Sequence, residues 1–359
     1  MTARLSVVVV HWARPDLLRG CLASLARQLD RDFETVVVDN GSSGEGLQLA
    51  LSEAAGLGLS PCLVRLPENL GFAGGANAGI RAATAGWIAL LNDDALAEPG
   101  WTRALLAAPT RHPWAGAFAC RILAAPDGAR LDSAGDLFTR FGEGAGRGHG
   151  QPDGPAFDQD CEVFGACAGA AMFRRDALDR IGLFDEHYFH TAEDVDLALR
   201  LRLAGERCVY VADARVLHLG GASRRQRPGR SLFLQSRNAE LALFSNLPVP
   251  VLLRVLPWHV ARVSWGLAVR LGSGGLLPYL SGKLAAAAAW RRVLTLRRQR
   301  LGTARLSTAE LWRQIDPDWH VSRCRAVMRK LPGLRCTDLP AGAPLQTSPG
   351  GEPPPGPGT

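Results

Sequence analysis

Four short apolar runs recur along the N-terminal part of the chain: Leu5-Ser-Val-Val-Val-Val10, Thr35-Val-Val-Val38, Cys62-Leu-Val-Arg-Leu66 and Trp87-Ile-Ala-Leu-Leu91. Segments of helical spacing separate them, such as Leu17, Leu18, Cys21, Leu22, Leu25 and Leu29 after Pro15. Although residues 1–18 superficially resemble a signal peptide, their apolar core is too short and too β-branched for one, and it is read as the first strand. Strands that alternate with helices predict a parallel sheet with right-handed crossovers, hence an α/β fold class. Open sheets of this kind hold their ligands outside the carboxyl ends of the strands, so the residues that end each run are the candidates for chemistry.

The fourth run ends in Asn92-Asp93-Asp94. Adjacent carboxylates at the mouth of a buried strand repel each other and are costly unless a cation neutralises them. A divalent metal, Mg²⁺ or Mn²⁺, carrying a diphosphate meets that need; a solvated turn with a helix cap is the plainer alternative. The second run ends in Asp39-Asn40-Gly41-Ser42, where Asp39 can accept hydrogen bonds from a base or ribose, although such a tetrapeptide is also an ordinary turn. Between the two lies Glu68-Asn69-Leu-Gly71-Phe-Ala-Gly74-Gly75-Ala-Asn77-Ala-Gly79, a glycine-rich loop expected to run into a helix. Its glycines would let backbone N–H groups approach a phosphate, or would merely allow close packing of helix on sheet.

The chain has 359 residues, enough for one large domain or two ordinary ones. Hydrophobic residues at 47% and charged residues at 21% exclude general disorder, except in residues 341–359, where Pro, Gly, Ser and Thr dominate. The eight cysteines form no Cys-x-x-Cys pair and read as small buried hydrophobes in a reducing, cytoplasmic compartment. Net charge is +7, and residues 241–309 contain no Asp or Glu but ten Arg and Lys residues. The longest uncharged stretches there are 13 and 12 residues, short of the ~20 needed to span a bilayer. With Trp258, Trp265 and Trp290 beside arginines, this basic helical extension (241–335) is expected to lie on an anionic membrane surface, peripheral on the inner face of the cell membrane, and not on nucleic acid. The plainer expectation is helices packed on the preceding domain. Residues 125–160, rich in Gly, Pro, Asp and Arg, are expected to form a long mobile connection or lid.

Val-Val-Val-Asp39-Asn40-Gly-Ser, the glycine-rich segment from Glu68 to Gly79 and Leu-Leu-Asn92-Asp93-Asp94 occur in an order and spacing that resemble the family 2 glycosyltransferases, in particular their rhamnosyltransferase-like members. The likeness continues through Gly165-Ala-Cys-Ala-Gly-Ala-Ala-Met-Phe-Arg174-Arg175, Gly182-Leu-Phe-Asp185-Glu186, Glu193-Asp194-Val-Asp196-Leu and His218-Leu-Gly-Gly-Ala-Ser223, and covers about residues 4–240. The resemblance implies a GT-A fold over 1–240, with a nucleotide-sugar-binding half (1–115) and an acceptor half (116–240). It implies that Asp39 contacts the base of a dTDP- or UDP-linked sugar, with Asn40, Asn69, Gly71, Gly74, Asn77, Asn92 and Asp93 around the donor. Arg224, Arg225, Arg227 and Arg230 are expected to form a basic loop that closes on the diphosphate, or else a solvated one. Asp94 and His218 would hold the metal. The family's Asp-x-Asp motif reads Asn92-Asp93-Asp94 here, so a neutral side chain replaces the first carboxylate.

On the acceptor side, Asp194 is expected to take the proton of an acceptor hydroxyl as it attacks the anomeric carbon, with Glu193 or Asp196 holding the helix end. Acids in a helix's first turn are also favoured by its dipole alone. One base and direct attack imply inversion, and the absence of a Gln-x-x-Arg-Trp motif favours transfer of one sugar to a lipid-linked saccharide. The rival expectations are a nucleotidyltransferase, whose glycine-rich loop would follow the first strand, and a non-catalytic membrane-surface protein of the same fold.

Overall fold

In the computed structural model, which describes residues 3–43, 46–220, 228–271 and 274–315, the repeated unit builds strands β1 (Leu5–His11), β2 (Phe33–Asn40), β3 (Cys62–Leu66) and β4 (Trp87–Asn92). Helices α1 (Pro15–Ala26), α2 (Gly46–Gly56) and α3 (Gly71–Ala82) cross between them. The chain continues through β5 (Ala95–Ala97), α4 (Trp101–Arg111), β6 (Ala115–Ala124), β7 (Arg130–Ala134), β8 (Asp136–Phe138), β9 (Gly144–Gly146), β10 (Cys161–Val163), β11 (Ala170–Arg174), α5 (Arg175–Ile181), α6 (Glu193–Leu203) and β12 (Arg207–His218). Five further helices follow: α7 (Pro228–Asn246), α8 (Val249–Arg270), α9 (Leu276–Ala288), α10 (Trp290–Gly302) and α11 (Thr308–Gln314).

The main sheet has the order β10-β12-β6-β11-β4-β1-β2-β3, with β5 and β7 pairing off this path to β12 and β6. It is parallel from β4 to β3 and mixed beyond, because β11 runs antiparallel to both β4 and β6. Alternate residues of one strand enter opposite cores, as the two-residue period of a strand demands. Val7 and Val9 join the cluster under α1, α2 and α4, while Val8 joins the one under α3 and α5. Both faces of the central strands are thus dry, which explains their nearly continuous apolar sequence.

Residues 125–160 are not a mobile connection. They form β7, β8 and β9 and are tied back by Arg121, which is 4% exposed and donates through Nη1 to Asp158 Oδ1 at 2.7 Å and through Nε to Asp153 Oδ1 at 2.8 Å. The glycines and prolines there serve tight turns between short strands, a role composition does not distinguish from looseness.

A third core cluster joins α7 and α8 to the preceding part: Leu241, Leu243, Leu247, Val251 and Val255 are buried together with Phe138, Phe164, Tyr188 and Leu199. Asp196 fastens the same junction. It has no exposed surface and accepts from Tyr188 Oη at 3.0 Å, Arg200 Nε at 2.9 Å, Asn246 Nδ2 at 2.9 Å and Arg300 Nη1 at 2.7 Å. The helix α7 runs through position 240, where a boundary was expected, without a break. Among the described residues no helix is long and apolar enough to cross a membrane.

Candidate active site

The parallel strands bring the expected donor-side residues to one edge. In register, His11 of β1 lies beside Asp39 of β2, and Val10 lies beside Asn92 of β4. Asp39 is nearly buried; its Oδ1 accepts the Ser42 N–H at 3.0 Å, and its Oδ2 takes no hydrogen bond among the described residues. Asp93 is paired with the buried His11, whose Nδ1 lies 2.9 Å from Oδ2. Burial, only partly offset by His11, raises the Asp93 carboxyl above the usual range.

Asp94 reaches its partner through the sheet. β5 pairs antiparallel with the end of β12, setting Ala95 against His218, and the Leu219 N–H donates to the Asp94 carbonyl at 2.8 Å. His218 Nε2 then lies 3.1 Å from Asp94 Oδ1, and Nδ1 lies 2.7 Å from Asp132 Oδ2 on β7. Burial alone would lower the imidazole pKa, but the two carboxylates outweigh it and bring it to about 9. Asp132 itself is held well below the usual carboxylate range by His149 and His218.

The 3.1 Å between Nε2 and Oδ1 is a hydrogen bond from an imidazole that is protonated at neutral pH. A divalent ion between the two would have to displace the Nε2 proton, after which neutral imidazole and carboxylate are both suitable ligands. Among the described residues no group of three His, Cys, Asp or Glu side chains converges in this way. An ion here would therefore take its remaining ligands from phosphate oxygens and water.

The acceptor-side residues begin α6, with Glu193, Asp194 and Asp196 in its first turn, where the helix dipole favours carboxylates. Asp194 is tied to the donor side through two adjacent residues. The Ala168 N–H donates to Asp194 Oδ2 at 3.4 Å, and the Gly169 carbonyl accepts the Asn92 N–H at 2.9 Å. Glu193 is buried, as is Asp136 of β8, whose carboxyl is pushed well above the usual range by burial and then by Asp194. Before α6, Phe189 (φ 65°, ψ −69°) sits in a γ-turn closed by the His190 N–H on the Tyr188 carbonyl at 2.8 Å, and Thr191 and Ala192 have φ of 72° and 67°, Ala192 in the left-handed region.

The glycine-rich segment follows the packing alternative of the two expected. It is helical from Gly71 onward, and its first N–H groups are taken: Leu70 donates to Asn40 Oδ1 at 2.9 Å, Gly71 to Asn69 Oδ1 at 2.8 Å and Ala73 to the Phe189 carbonyl at 3.1 Å. A side chain at Gly71 would put Cβ 2.3 Å from the Phe189 oxygen, and one at Gly74 would put it 2.5 Å from Leu70 Cβ. Gly71 and Gly74 therefore serve close packing, and Asn40 and Asn69 brace the turn. Asn77 is corrected likewise. It is 1% exposed and exchanges hydrogen bonds with the Phe184 backbone at 2.8 and 3.0 Å, which leaves it facing the interior. Arg230, exposed in the first turn of α7, lies 4.6 Å over the Phe189 ring. Arg224, Arg225 and Arg227 lie outside the described residues.

His11, Asp132 and Asp136 escaped the sequence reading. His11 ends an apolar run as Asp39 does, a signal of the same kind. Asp132 and Asp136 lie in the stretch taken for a mobile connection, and no spacing linked them to His218 or Asp194.

The architecture is matched by solved structures. Staphylococcus aureus TarS 1-349 in complex with UDP-GlcNAc superposes with a TM-score of 0.58 at 17% identity, over 89% of this chain and 92% of that one. GalNAc-T7 with UDP, GalNAc and Mn²⁺ gives a TM-score of 0.53 at 18% identity, over 66% of this chain and 47% of that one. These likenesses define a GT-A fold. At the level of sequence, residues 6–182 match Glycosyl transferase family 2. The N-acetylglucosaminyl-diphospho-decaprenol L-rhamnosyltransferase of Mycobacterium tuberculosis is 34% identical over 240 residues, covering 61% of this chain and 76% of that protein. The pre-mycofactocin glycosyltransferase of the same species is 28% identical over 220 residues, 59% and 43% of the two chains. The chain belongs to the family 2 glycosyltransferases and is rhamnosyltransferase-like.

Proposed function

We propose that this protein transfers one sugar, a rhamnose-like hexose, from a dTDP- or UDP-linked donor to a lipid-linked saccharide or cell-surface polysaccharide acceptor, with inversion at the anomeric carbon. The observation that supports this reading is the pair of hydrogen bonds, Ala168 N–H to Asp194 Oδ2 and Asn92 N–H to the Gly169 carbonyl, that runs between Asp194 and the β4 tip. The mycobacterial relative, an N-acetylglucosaminyl-diphospho-decaprenol L-rhamnosyltransferase, supports the choice of transferred sugar and acceptor class.

In this reading Asp39 engages the base and Asn92 and Asp93 face the ribose and phosphates. A divalent ion held by Asp94 and His218 would supply positive charge at the departing diphosphate. An acceptor hydroxyl oxygen attacks the anomeric carbon while Asp194 Oδ takes its proton. The bond from that carbon to the diphosphate oxygen breaks, and its electron pair leaves with the nucleoside diphosphate. A carboxylate is a weak base, so positioning within hydrogen-bond reach must supply much of the rate.

The extension supports a second part of the reading, attachment to an anionic membrane surface. Its helices are packed on one side, yet Trp265 and Leu277 remain 72% and 78% exposed, and Leu253, Trp258 and Leu284 are exposed on α8 and α9. Such residues among arginines and without acids suit a bilayer interface.

The test is incubation with dTDP- and UDP-sugars, Mn²⁺ and a lipid-linked acceptor, followed by assignment of the product's anomeric configuration by NMR. A product inverted relative to the donor supports the reading. A retained configuration contradicts the mechanism, and failure either to transfer or to hydrolyse any nucleotide sugar would favour a non-catalytic protein that kept the fold.

A further inference from the structure

Asn238 lies in the middle of α7 with no exposed surface. Asparagine is a poor residue for a helix interior, and a buried amide is costly unless its hydrogen bonds are made. Here they are made outside the helix. Nδ2 donates to the carbonyls of Tyr188, His190 and Thr191 at 2.9, 3.0 and 2.8 Å, and Oδ1 accepts from Arg237 Nε at 2.9 Å. Two N–H bonds serve three carbonyls, so one is shared.

Those carbonyls belong to the segment that runs into α6. Residues held in sparsely populated positive-φ conformations cost on the order of 1–3 kcal/mol each, and Phe189 in its γ-turn, Thr191 and Ala192 are all of this kind. For the β-branched Thr191 a positive φ is an outlier. A path of this kind persists only when its surroundings impose it. At one end α3 does so, through the bond from Ala73 N–H to the Phe189 carbonyl. Across the rest, Arg237 Nη2 donates to the His187 carbonyl at 2.6 Å and more weakly to that of Tyr188, which also takes the His190 N–H, while Asn238 alone of these side chains reaches the Tyr188, His190 and Thr191 carbonyls together. Ala192, the last positive-φ residue, is the N-cap of α6, so its dihedrals set where Glu193 and Asp194 begin.

We propose that Asn238 is a positioning residue for Asp194: its amide holds residues 188–192 in the strained, positive-φ path that delivers the base to the acceptor. The inference rests on the reading of Asp194 as the base. It makes α7, which lies outside the family match at residues 6–182, a working part of the active site.

The experiment measures kcat and KM for the acceptor, donor affinity by calorimetry and the thermal midpoint in Asn238→Ala and Asn238→Ser. The alanine variant is also combined with Thr191→Gly and Ala192→Gly. Displacing a base by about 1 Å costs up to about 100-fold, so Asn238→Ala should lower kcat by at least about 10-fold while donor affinity stays within about two-fold. Asn238→Ser, which keeps one donor, should lose less, and it decides the matter if the alanine variant does not fold. Glycine adopts left-handed backbone without penalty, so the combined variant should recover part of the lost kcat without a matching change in donor affinity. Wild-type kcat in both Asn238 variants, a loss of donor affinity equal to the loss of kcat, or no recovery with the glycines would overturn the proposal. Asp194→Asn is assayed in parallel. Wild-type transfer in that variant removes the base reading itself, whereas an inactive Asp194→Asn beside fully active Asn238 variants removes only the role of Asn238.

Discussion

Asp132 Oδ2 lies 2.7 Å from Nδ1 of His218, whose Nε2 faces Asp94 Oδ1 at 3.1 Å. The imidazole is fixed from both sides, with Nε2 directed to the place where a cation would sit. Loss of a partner that orients a ligating histidine typically costs 10–100-fold in metal affinity, and Asp132→Asn should do so by about that factor. Calorimetric titration of Mn²⁺ in the presence of UDP measures it. Unchanged affinity in Asp132→Asn, or in Asp94→Ala and His218→Ala, would remove the metal assignment.

Asp196 differs from its neighbour two residues earlier. Four donors converge on it in a fully buried site that joins α6 to α7 and α10. Removing one partner of a buried ion pair leaves uncompensated charge, so Asp196→Ala should destabilise the fold by roughly 3–5 kcal/mol. Urea denaturation reads this directly, and a loss below about 1 kcal/mol would show that the network is dispensable.

The parts of the fold legible in the sequence are those governed by period. β3 was expected at its observed bounds, and β1, β2 and β4 within a few residues, because a buried parallel strand is an apolar run with little else to encode. Asp39, Asp94 and Asp194 stand out as candidates for a related reason, each ending a run or opening a helix. For the residues from Gly71 to Asn77 the choice between phosphate contact and packing was not legible. A glycine that admits Phe189 and one that admits a phosphate look alike until the neighbouring chain is in place. Asn238 and Asp132 were hidden because their partners lie 47 to 50 and 86 positions away in sequence.

The extension carries its own buried charge cluster. Glu240 is bonded by Lys283 and by His259 Nε2 at 2.9 Å. Burial alone would raise its carboxyl, but His259 and Lys283 outweigh that and bring it from 4.5 down to about 2. A carboxylate depressed in this way contributes stability above its unfolded pKa and loses it as pH falls through the folded value. The contribution is on the order of 3 kcal/mol. Wild type should therefore be more stable than Glu240→Gln at pH 7, and the gap should close between pH 4.5 and about 2. Thermal midpoints across that range check it, and a gap independent of pH would contradict it.

Binding to vesicles should separate charge from apolar contact. The protein should co-sediment with anionic vesicles and be released by high salt, because screening sets in over roughly 8–10 Å near physiological ionic strength. Trp265→Ala, which removes a side chain 72% exposed, should weaken binding while leaving the thermal midpoint unchanged. Equal binding to neutral vesicles would remove the role of charge, and binding to neither would exclude the membrane role.

The central claim is that Asp194 takes the acceptor proton and has no part in holding the donor. Asp194→Asn keeps the size of the side chain and removes the base. Transfer rate and donor affinity measured together on this variant, with circular dichroism to verify the fold, test the claim most directly. The account predicts a fall in rate of about 10²–10⁴-fold with donor and metal affinity retained. A donor affinity lost in proportion to the rate, or a rate near that of wild type, would contradict it.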